Sequence, residues 1–395
     1  MTNTSLPLKN IKVVELSHMV MGPATGVILA DLGAEVIKIE PLKGDNTRRL
    51  KGSGAGYFPM YNRNKRSLCL DLKSEEGLEV VRTLIAQADV VIENFRPGAL
   101  AAMGLDYETL SRAHPGLIYC SLKGFLSGPY QHRTALDEVA QMMGGLAYMT
   151  GLPDKPMRAG SSVIDITGAM FGVIGILAAL EERHASGRGK FVTSALFETT
   201  AYMVGQHMAQ CAVSGEAPPP MSIRRSAWGV YDTFEAADGE KVFVAVVSDT
   251  QWRQFCLDFG LEEFANDPSL AANSGRFEQR DRIIPAISEV FASLSKASLM
   301  EKLDHTGLPY APINRPEDLF DDPHLNAHGL LDIHLPDGSQ TKLPALPIEM
   351  NGERFGLRYD PPAEAGDTRA TLKAAGFDQD SIDKLVTLGV LRDET

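Results

Sequence analysis

An aspartate at position 165 stands alone among apolar neighbours in RAGSSVIDITGAMFGVIGILAAL, where a Gly/Ser-rich loop runs into a long apolar helix. A carboxylate at such a place either caps the helix by accepting backbone N–H groups or acts as a nucleophile. Upstream, Arg63, Lys65 and Arg66 cluster in YNRNKRSL, followed by Lys73, in a chain that is otherwise acidic. A solvated basic turn is the plain reading of that cluster, and an anion site the sharper one. ENFRPGAL sets Asn94, Phe95 and Arg96 at the end of a strand, with Pro97 opening a helix. An amide, an aromatic ring and a guanidinium there suit an adenine ring and phosphates. His324 and His328 lie four apart, but no HExxH glutamate stands between them, and no metal is expected. His18 reads as packed or solvated, and Met143, Met149 and Met157 as core or as an acyl pocket.

The elements that must position these groups alternate in type. IKVVEL (11–16), AEVIKIE (34–40), RSLCLDL (66–72), DVVIENF (89–95) and GLIYCSLKGF (116–125) read as buried strands. GPATGVILADLG (22–33) reads as a helix with Pro23 at its first position and Gly33 past its end, and SEEGLEVVRTLIAQA as an amphipathic helix opened by Ser74. This rhythm implies parallel βαβ units with helices covering the sheet. Ligands in such folds sit at the carboxyl ends of strands, against helix N-termini, so the loops after Leu16, Leu72 and Phe95 are the places to look.

Several functions are excluded. The first loop, SHMVMGPATG, lacks GxGxxG; no GxxxxGK[ST] and no GxSxG occurs. A net charge of −13, spread along 395 residues, argues against a general nucleic-acid binder. Cys69, Cys120, Cys211 and Cys256 are scattered, and the N-terminus has no signal pattern, which points to reduced thiols in the cytoplasm. The longest apolar run, Ala169 to Leu180, is too short to span a bilayer.

GPATGVILADLGAEVIKIE, YNRNKRSLCLDL, ENFRPGALAAMGL, LDEVAQMMGG, the segment around Asp165, GRGKFVTSALFE, YDTFEAADG, SDTQWRQFC and LFDDPHLNAHG together resemble the class III CoA-transferases, the group with formyl-CoA transferase and the carnitine CoA-transferases. The likeness runs along nearly the whole chain. It implies that Asp165 is the nucleophile and that Asp137 lies near the reacting thioester. It also implies that Met19, Val20, Leu70, Lys73, Asn94 and Phe95 line the CoA site. An arginine of the formyl-CoA transferases that follows the IKIE strand is replaced by Pro41, and a second by Ala102, so Arg48, Arg63 or Arg96 would hold the nucleotide end instead. The related α-methylacyl-CoA racemases need a histidine in an HD segment. This chain has ALDEVAQMMGG there, and His132 lies outside the pattern.

The implied chemistry is transfer of CoA from an acyl-CoA thioester to a free carboxylic acid through an aspartyl mixed anhydride and an aspartyl-CoA thioester. Such a site must exclude water and stabilise oxyanions; Val163, Ile164 and Ile166 would serve the first need, backbone N–H groups of Gly144 and Gly145 the second. Arg133, Arg158, Arg224 and Arg225 would suit a second carboxylate, favouring a small dicarboxylate such as succinate or a methylated relative. An intramolecular CoA shift, the racemase reaction and CoA binding without turnover are the alternatives. The expected fold is α/β: a Rossmann-like parallel-sheet large domain from both chain ends (1–200 and 346–395) and a smaller α/β domain (226–310). Linkers at 201–225 and 311–345 would join them, in an interlocked, ring-like homodimer. AVSGEAPPPMS is the compositional signal for the first linker, and YDTFEAADGEKVFVAVVSD reads as a hairpin turning at Ala237–Gly239.

Overall fold

The structure, a computed structural model, describes residues 6–223 and 226–393. The chain divides into two compact units, Met1–Ser222 with Pro323–Thr395, and Ile223–Asp322.

The larger unit is built on six strands: β1 (Lys12–Leu16), β2 (Glu35–Glu40), β3 (Lys65–Cys69), β4 (Val90–Glu93), β5 (Ile118–Lys123) and β6 (Phe191–Ala195). They form one sheet in the order β3-β2-β1-β4-β5-β6, every neighbouring pair parallel. This is the doubly wound order, in which the chain reverses between β1 and β4 and leaves a crevice outside their carboxyl ends. Five of the six strands coincide with the segments expected from sequence. The sixth, FVTSA, carries too little apolar pattern to read as a strand and runs straight into a helix.

The helices that position the site are α1 (Met21–Asp31), α2 (Tyr57–Tyr61), α3 (Glu75–Ile85), α4 (Tyr107–Ala113), α5 (Asp137–Met143), α6 (Leu146–Thr150), α7 (Val163–Ser186) and α8 (Leu196–Ser214). Ser74 caps α3 by accepting the Gly77 N–H at 3.0 Å. Nearly all of α1 is buried, which explains why it shows no polar stripe. Its glycines permit that burial. A Cβ on Gly22 would stand 2.3 Å from Ser17 Cβ, and one on Gly26 only 1.8 Å from Glu15 Oε2.

Helix α7 is longer than its apolar run suggested, and length and composition alone would let it cross a membrane. It lies instead against α1, β5, β6 and α8, with Ile164, Ala169, Val173, Ile176 and Leu180 in the core. A Cβ on Gly168 would meet Met21 Cε at 2.6 Å, so α7 approaches α1 closely just after Asp165.

The expected linkers are more structured than composition indicated. Helix α8 runs to Ser214, so the irregular stretch begins only with the glycine and prolines that follow. Within 311–345 lie a helix, Pro323–His328, and a hairpin that pairs Leu330–His334 with Gln340–Pro344. The C-terminal segment then returns to the sheet edge: Arg392 N–H donates to Cys69 O at 3.1 Å, and Leu70 bridges Leu391. The smaller unit holds an antiparallel sheet of β7 (Val230–Glu235), β8 (Lys241–Val246) and β9 (Tyr310–Pro312) over a core that includes Trp252, Phe255 and Phe291. Its hairpin turns at Ala237–Gly239 as expected, with Gly239 at φ 77°.

Candidate active site

A cleft of about 390 Å³ opens at the switch point of the sheet, lined by the loops that leave β1 and β4, the 131–138 stretch, Arg158, Ser162 and Asp165. The two loops clasp each other. His18 N–H donates to Asn94 Oδ1 at 3.1 Å, and Asn94 Nδ2 donates to His18 O at 2.8 Å. The His18 ring meets Phe95 edge-on, with centroids 5.7 Å apart, and burial holds its pKa below the usual histidine value. Met19 takes a left-handed backbone (φ 66°), unusual for a side chain of its size, and Thr47 Oγ1 accepts its N–H at 3.2 Å.

Beneath the first loop lies a buried charge network. Lys38 Nζ donates to Ser17 O at 2.7 Å and pairs with Glu15 at 3.3 Å, while Lys65 pairs with Glu15 at 2.8 Å. Beneath the second, Lys123 Nζ bridges the Glu93 carboxylate at 2.8 Å and Phe95 O at 2.6 Å. Each loop is thus tied to its strand by an ammonium group that also satisfies a buried acid.

Asp165 occupies the first turn of α7 and faces this cleft. It is not the cap. The cap position belongs to Ser162, whose side chain makes no bond to the helix. Asp137 on α5 supplies the missing acceptor: its Oδ2 takes the N–H groups of Ile164 at 2.9 Å and Asp165 at 3.1 Å. The Asp165 carboxyl group takes no hydrogen bond from the described residues. Burial pushes its pKa up to about 7, the neighbouring Asp137 carboxylate adds to the rise, and Arg158 opposes it. Burial, with a smaller contribution from the same carboxylate, pushes the Tyr61 phenol up to about 12. An aspartate with a pKa near neutrality and no hydrogen bond to its carboxyl group from the described residues is equipped for nucleophilic attack. Val163, Ile164 and Ile166, expected to shield it, are not among the residues that line the cleft, and Ile164 and Val163 pack into the core instead.

The structure brings Met19, Val20, Asn94, Phe95, Arg96, Asp137 and Asp165 to one cleft, together with Arg133 and Arg158. Other expected site residues lie elsewhere. Arg63 is buried and bound to Asp31 at 2.6 Å, so it is withdrawn from any ligand. Arg48 grips Glu40 through two bonds, at 2.6 and 2.8 Å, and stacks on Phe58. Arg66 pairs with Asp367 at 2.8 Å. Of the three candidates for the nucleotide end, only Arg96 is exposed and without an ion pair among the described residues. Leu70 is core, and Lys73 is exposed at the start of α3; both follow β3, two strands from β1 and outside the cleft. Pro97 does not open an α-helix; a single 3-10 turn, Ala101–Met103, follows it.

Gly144 and Gly145 are not among the residues that line the cleft. Gly144 N–H is spent on Ala140 O at 2.8 Å, and its missing side chain makes room for Thr200, whose Cγ2 would lie 2.4 Å from a Cβ. Gly145, at φ 85°, turns the chain from α5 into α6. His324 and His328 sit on a short helix, and no group of potential metal ligands occurs among the described residues. Arg224 and Arg225 lie outside the described residues. Sequence reasoning missed Tyr57, Lys123, Gln131 and Ser162, all on the cleft wall, because none carries a local pattern. It also missed Gln141, whose only signal is polarity on the buried side of a short helix.

The family model described as CoA-transferase family III matches residues 8–368. A succinate–glutarate CoA-transferase of Agrobacterium fabrum is 36% identical over 377 residues, covering 92% of this chain and 94% of that protein. A succinyl-CoA:mesaconate CoA-transferase of Haloarcula hispanica is 33% identical, covering 87% and 90%. Among solved structures, a CaiB/BaiF family protein from Brucella suis superposes with a TM-score of 0.83 at 35% identity, covering 94% of this chain and all of that one. The match spans both arms of the sheet and the cleft at their junction, and the chain belongs to CoA-transferase family III.

Proposed function

We propose that this CoA-transferase exchanges CoA between small dicarboxylic acids, with Asp165 as its covalent nucleophile. The observation that carries the reading is the unpartnered Asp165 carboxylate, set between the clasped CoA-site loops and two arginines, Arg133 and Arg158. In the first step an Asp165 oxygen attacks the donor thioester carbonyl, the C–S bond breaks, and CoA leaves as thiolate. The thiolate then attacks the aspartyl carbonyl of the mixed anhydride, freeing the donor acid and leaving CoA on Asp165 as a thioester. An acceptor carboxylate attacks that thioester and takes the CoA by the same steps reversed, which regenerates Asp165. Ser162 presents a hydroxyl to the cleft that is free for an acyl oxygen.

The substrate class follows from charge. Arg133 lies over the rings of Phe125 and Tyr130, Arg158 approaches Asp137 at 3.5 Å, and both line the cleft that holds Asp165, which makes them the cations we assign to the acyl side. A second carboxylate on the acyl group would meet them there. The glutarate and mesaconate substrates named for the relatives are dicarboxylates, which agrees. Asn94, Phe95 and Met19 would take the pantetheine and adenine portions, with Arg96 and, further along the sheet edge, Lys73 for phosphates. A homodimer is supported by an apolar face that the single chain leaves exposed: Met170, Ile174 and Leu177 on α7, and Tyr202 and Met208 on α8.

The test is incubation with succinyl-CoA and a panel of mono- and dicarboxylic acids, following new acyl-CoA by mass spectrometry, with hydroxylamine trapping of the enzyme. CoA should pass to C4–C5 dicarboxylates and the trapped label should map to Asp165. A label elsewhere, or full turnover by Asp165→Ala, would sink the reading. Isomerisation of a dicarboxylyl-CoA without an added acceptor would instead indicate intramolecular transfer.

A further inference from the structure

The buried amide of Gln141 joins the two sides of the catalytic cleft. On α5 it is fully buried, one turn after Asp137. Its Nε2 donates to Asp137 Oδ1 at 2.6 Å, and its Oε1 accepts the Ala159 N–H at 2.8 Å. Asp137 is thereby held by both oxygens, one on Gln141 and the other on the first N–H groups of α7, at Ile164 and Asp165. Ala159 follows Arg158, whose Nε donates to Ala159 O at 3.0 Å and whose Nη2 reaches Asp137 at 3.5 Å. One side chain therefore touches the group that caps the nucleophile's helix and the loop that carries an arginine of the acyl side.

We propose that Gln141 is a positioning residue: it locks Asp137 as the cap of α7 and fixes the Arg158 loop, so that nucleophile and acyl-side cation are held at one spacing. The inference rests on the catalytic reading above. Its physical basis is that a buried amide with both ends engaged has one orientation, whereas a carboxylate oxygen left with only the 3.5 Å contact to Arg158 is loosely held. Freed of Gln141, Asp137 loses its fixed geometry. The first turn of α7 and the Arg158 loop then move independently, and a misplacement on the scale of about 1 Å suffices to slow a chemical step.

Two variants separate positioning from packing. Gln141→Leu keeps the volume and removes both bonds. Gln141→Glu is isosteric: protonated, the introduced acid retains a donor for Asp137 and an acceptor for Ala159; ionised, it loses the donor and sets two carboxylates against each other. The charged groups around this amide are Asp137 on its own helix, Arg158 on the adjoining loop and Asp165 on α7. From α8, Thr200 packs at Gly144, and Glu198 is engaged by the Leu126 N–H.

The experiment measures kcat and KM for a dicarboxylyl and a monocarboxylyl donor across the pH range in which both carboxyl groups titrate, melting temperature, and hydroxylamine-trapped CoA adduct on Asp165. Gln141→Leu should still form the adduct, with kcat down about tenfold or more and the preference for the dicarboxylyl donor narrowed. Gln141→Glu should show a bell-shaped pH profile where the wild type reaches a plateau, its rate falling as the introduced carboxyl group ionises. A wild-type profile in Gln141→Glu, or an unchanged donor preference in Gln141→Leu, overturns the proposal even if both variants melt early. If wild-type enzyme yields no adduct on Asp165, the catalytic reading itself falls and takes this proposal with it.

Discussion

Replacing Asp165, the proposed nucleophile, with its neutral isostere should abolish transfer and stabilise the fold. An ordinary aspartate titrates near 3.8, and burial beside Asp137 raises Asp165 to about 7. Below about pH 4 the group is protonated in folded and unfolded chains alike, and ionisation contributes nothing to stability. Between about pH 4 and 7 the unfolded chain gives up the proton while the folded one keeps it, so stability falls as pH rises. Above about pH 7 the full penalty applies. At about 1.36 kcal/mol per pH unit, a displacement of roughly 3 pH units corresponds to about 4 kcal/mol as an upper bound. Water reaching the carboxyl group through the open cleft trims this, and about 2 kcal/mol is the working expectation for Asp165→Asn near pH 8. The assay is urea unfolding of both proteins at about pH 4 and about pH 8, at one protein concentration, with residual activity read in parallel. The advantage of the variant should be small at the lower pH and grow toward the higher. A variant less stable than the wild type, or an advantage that does not change with pH, would refute the account of a desolvated, unpartnered carboxylate.

Other expectations follow from the same geometry. The donor kcat/KM should rise with pH through about 7 as Asp165 ionises, and Arg158→Gln, which removes the opposing cation, should move that limb to higher pH. Lys65→Met removes one of two lysines from fully buried Glu15 and should cost about 3–5 kcal/mol in chemical unfolding. Gly26→Ala drives a methyl group to within 1.8 Å of Glu15 Oε2, and should lower stability by roughly 1–3 kcal/mol and loosen donor binding, seen as a raised KM. Ile174→Asp puts a charge in the exposed apolar face of α7 and should shift the proposed homodimer toward monomer in analytical ultracentrifugation.

Local pattern carried the reading of the elements a long way. The alternation of apolar strands with helices stands in the structure nearly as written, and Ser74 caps α3 as expected, because hydrophobic period and capping act over a few neighbouring residues; α1, however, opens at Met21, two residues before Pro23. The isolation of Asp165 in an apolar stretch was equally local, and so was the place of Asn94 and Phe95 at a strand end. The cap of α7 was not legible, since its acceptor, Asp137, comes from another helix.

The basic cluster shows the limit most clearly. Arg63, Lys65 and Arg66 look alike on paper, as three cations in four positions. Folding sends Arg63 to Asp31, Lys65 to Glu15 and Arg66 to Asp367, and leaves the cleft to Arg96, Arg133 and Arg158. Neighbouring residues along the chain were enough to set the element types, the parallel α/β class and the isolated acid at the mouth of α7. Which cations line the cleft, and which carboxylate fixes that acid's helix, emerged only once distant segments had packed. The physical reason is range. Periodicity and capping are settled among neighbours, whereas a charge drawn out of water must be paired, and Asp367 reaches Arg66 from 301 positions along the chain.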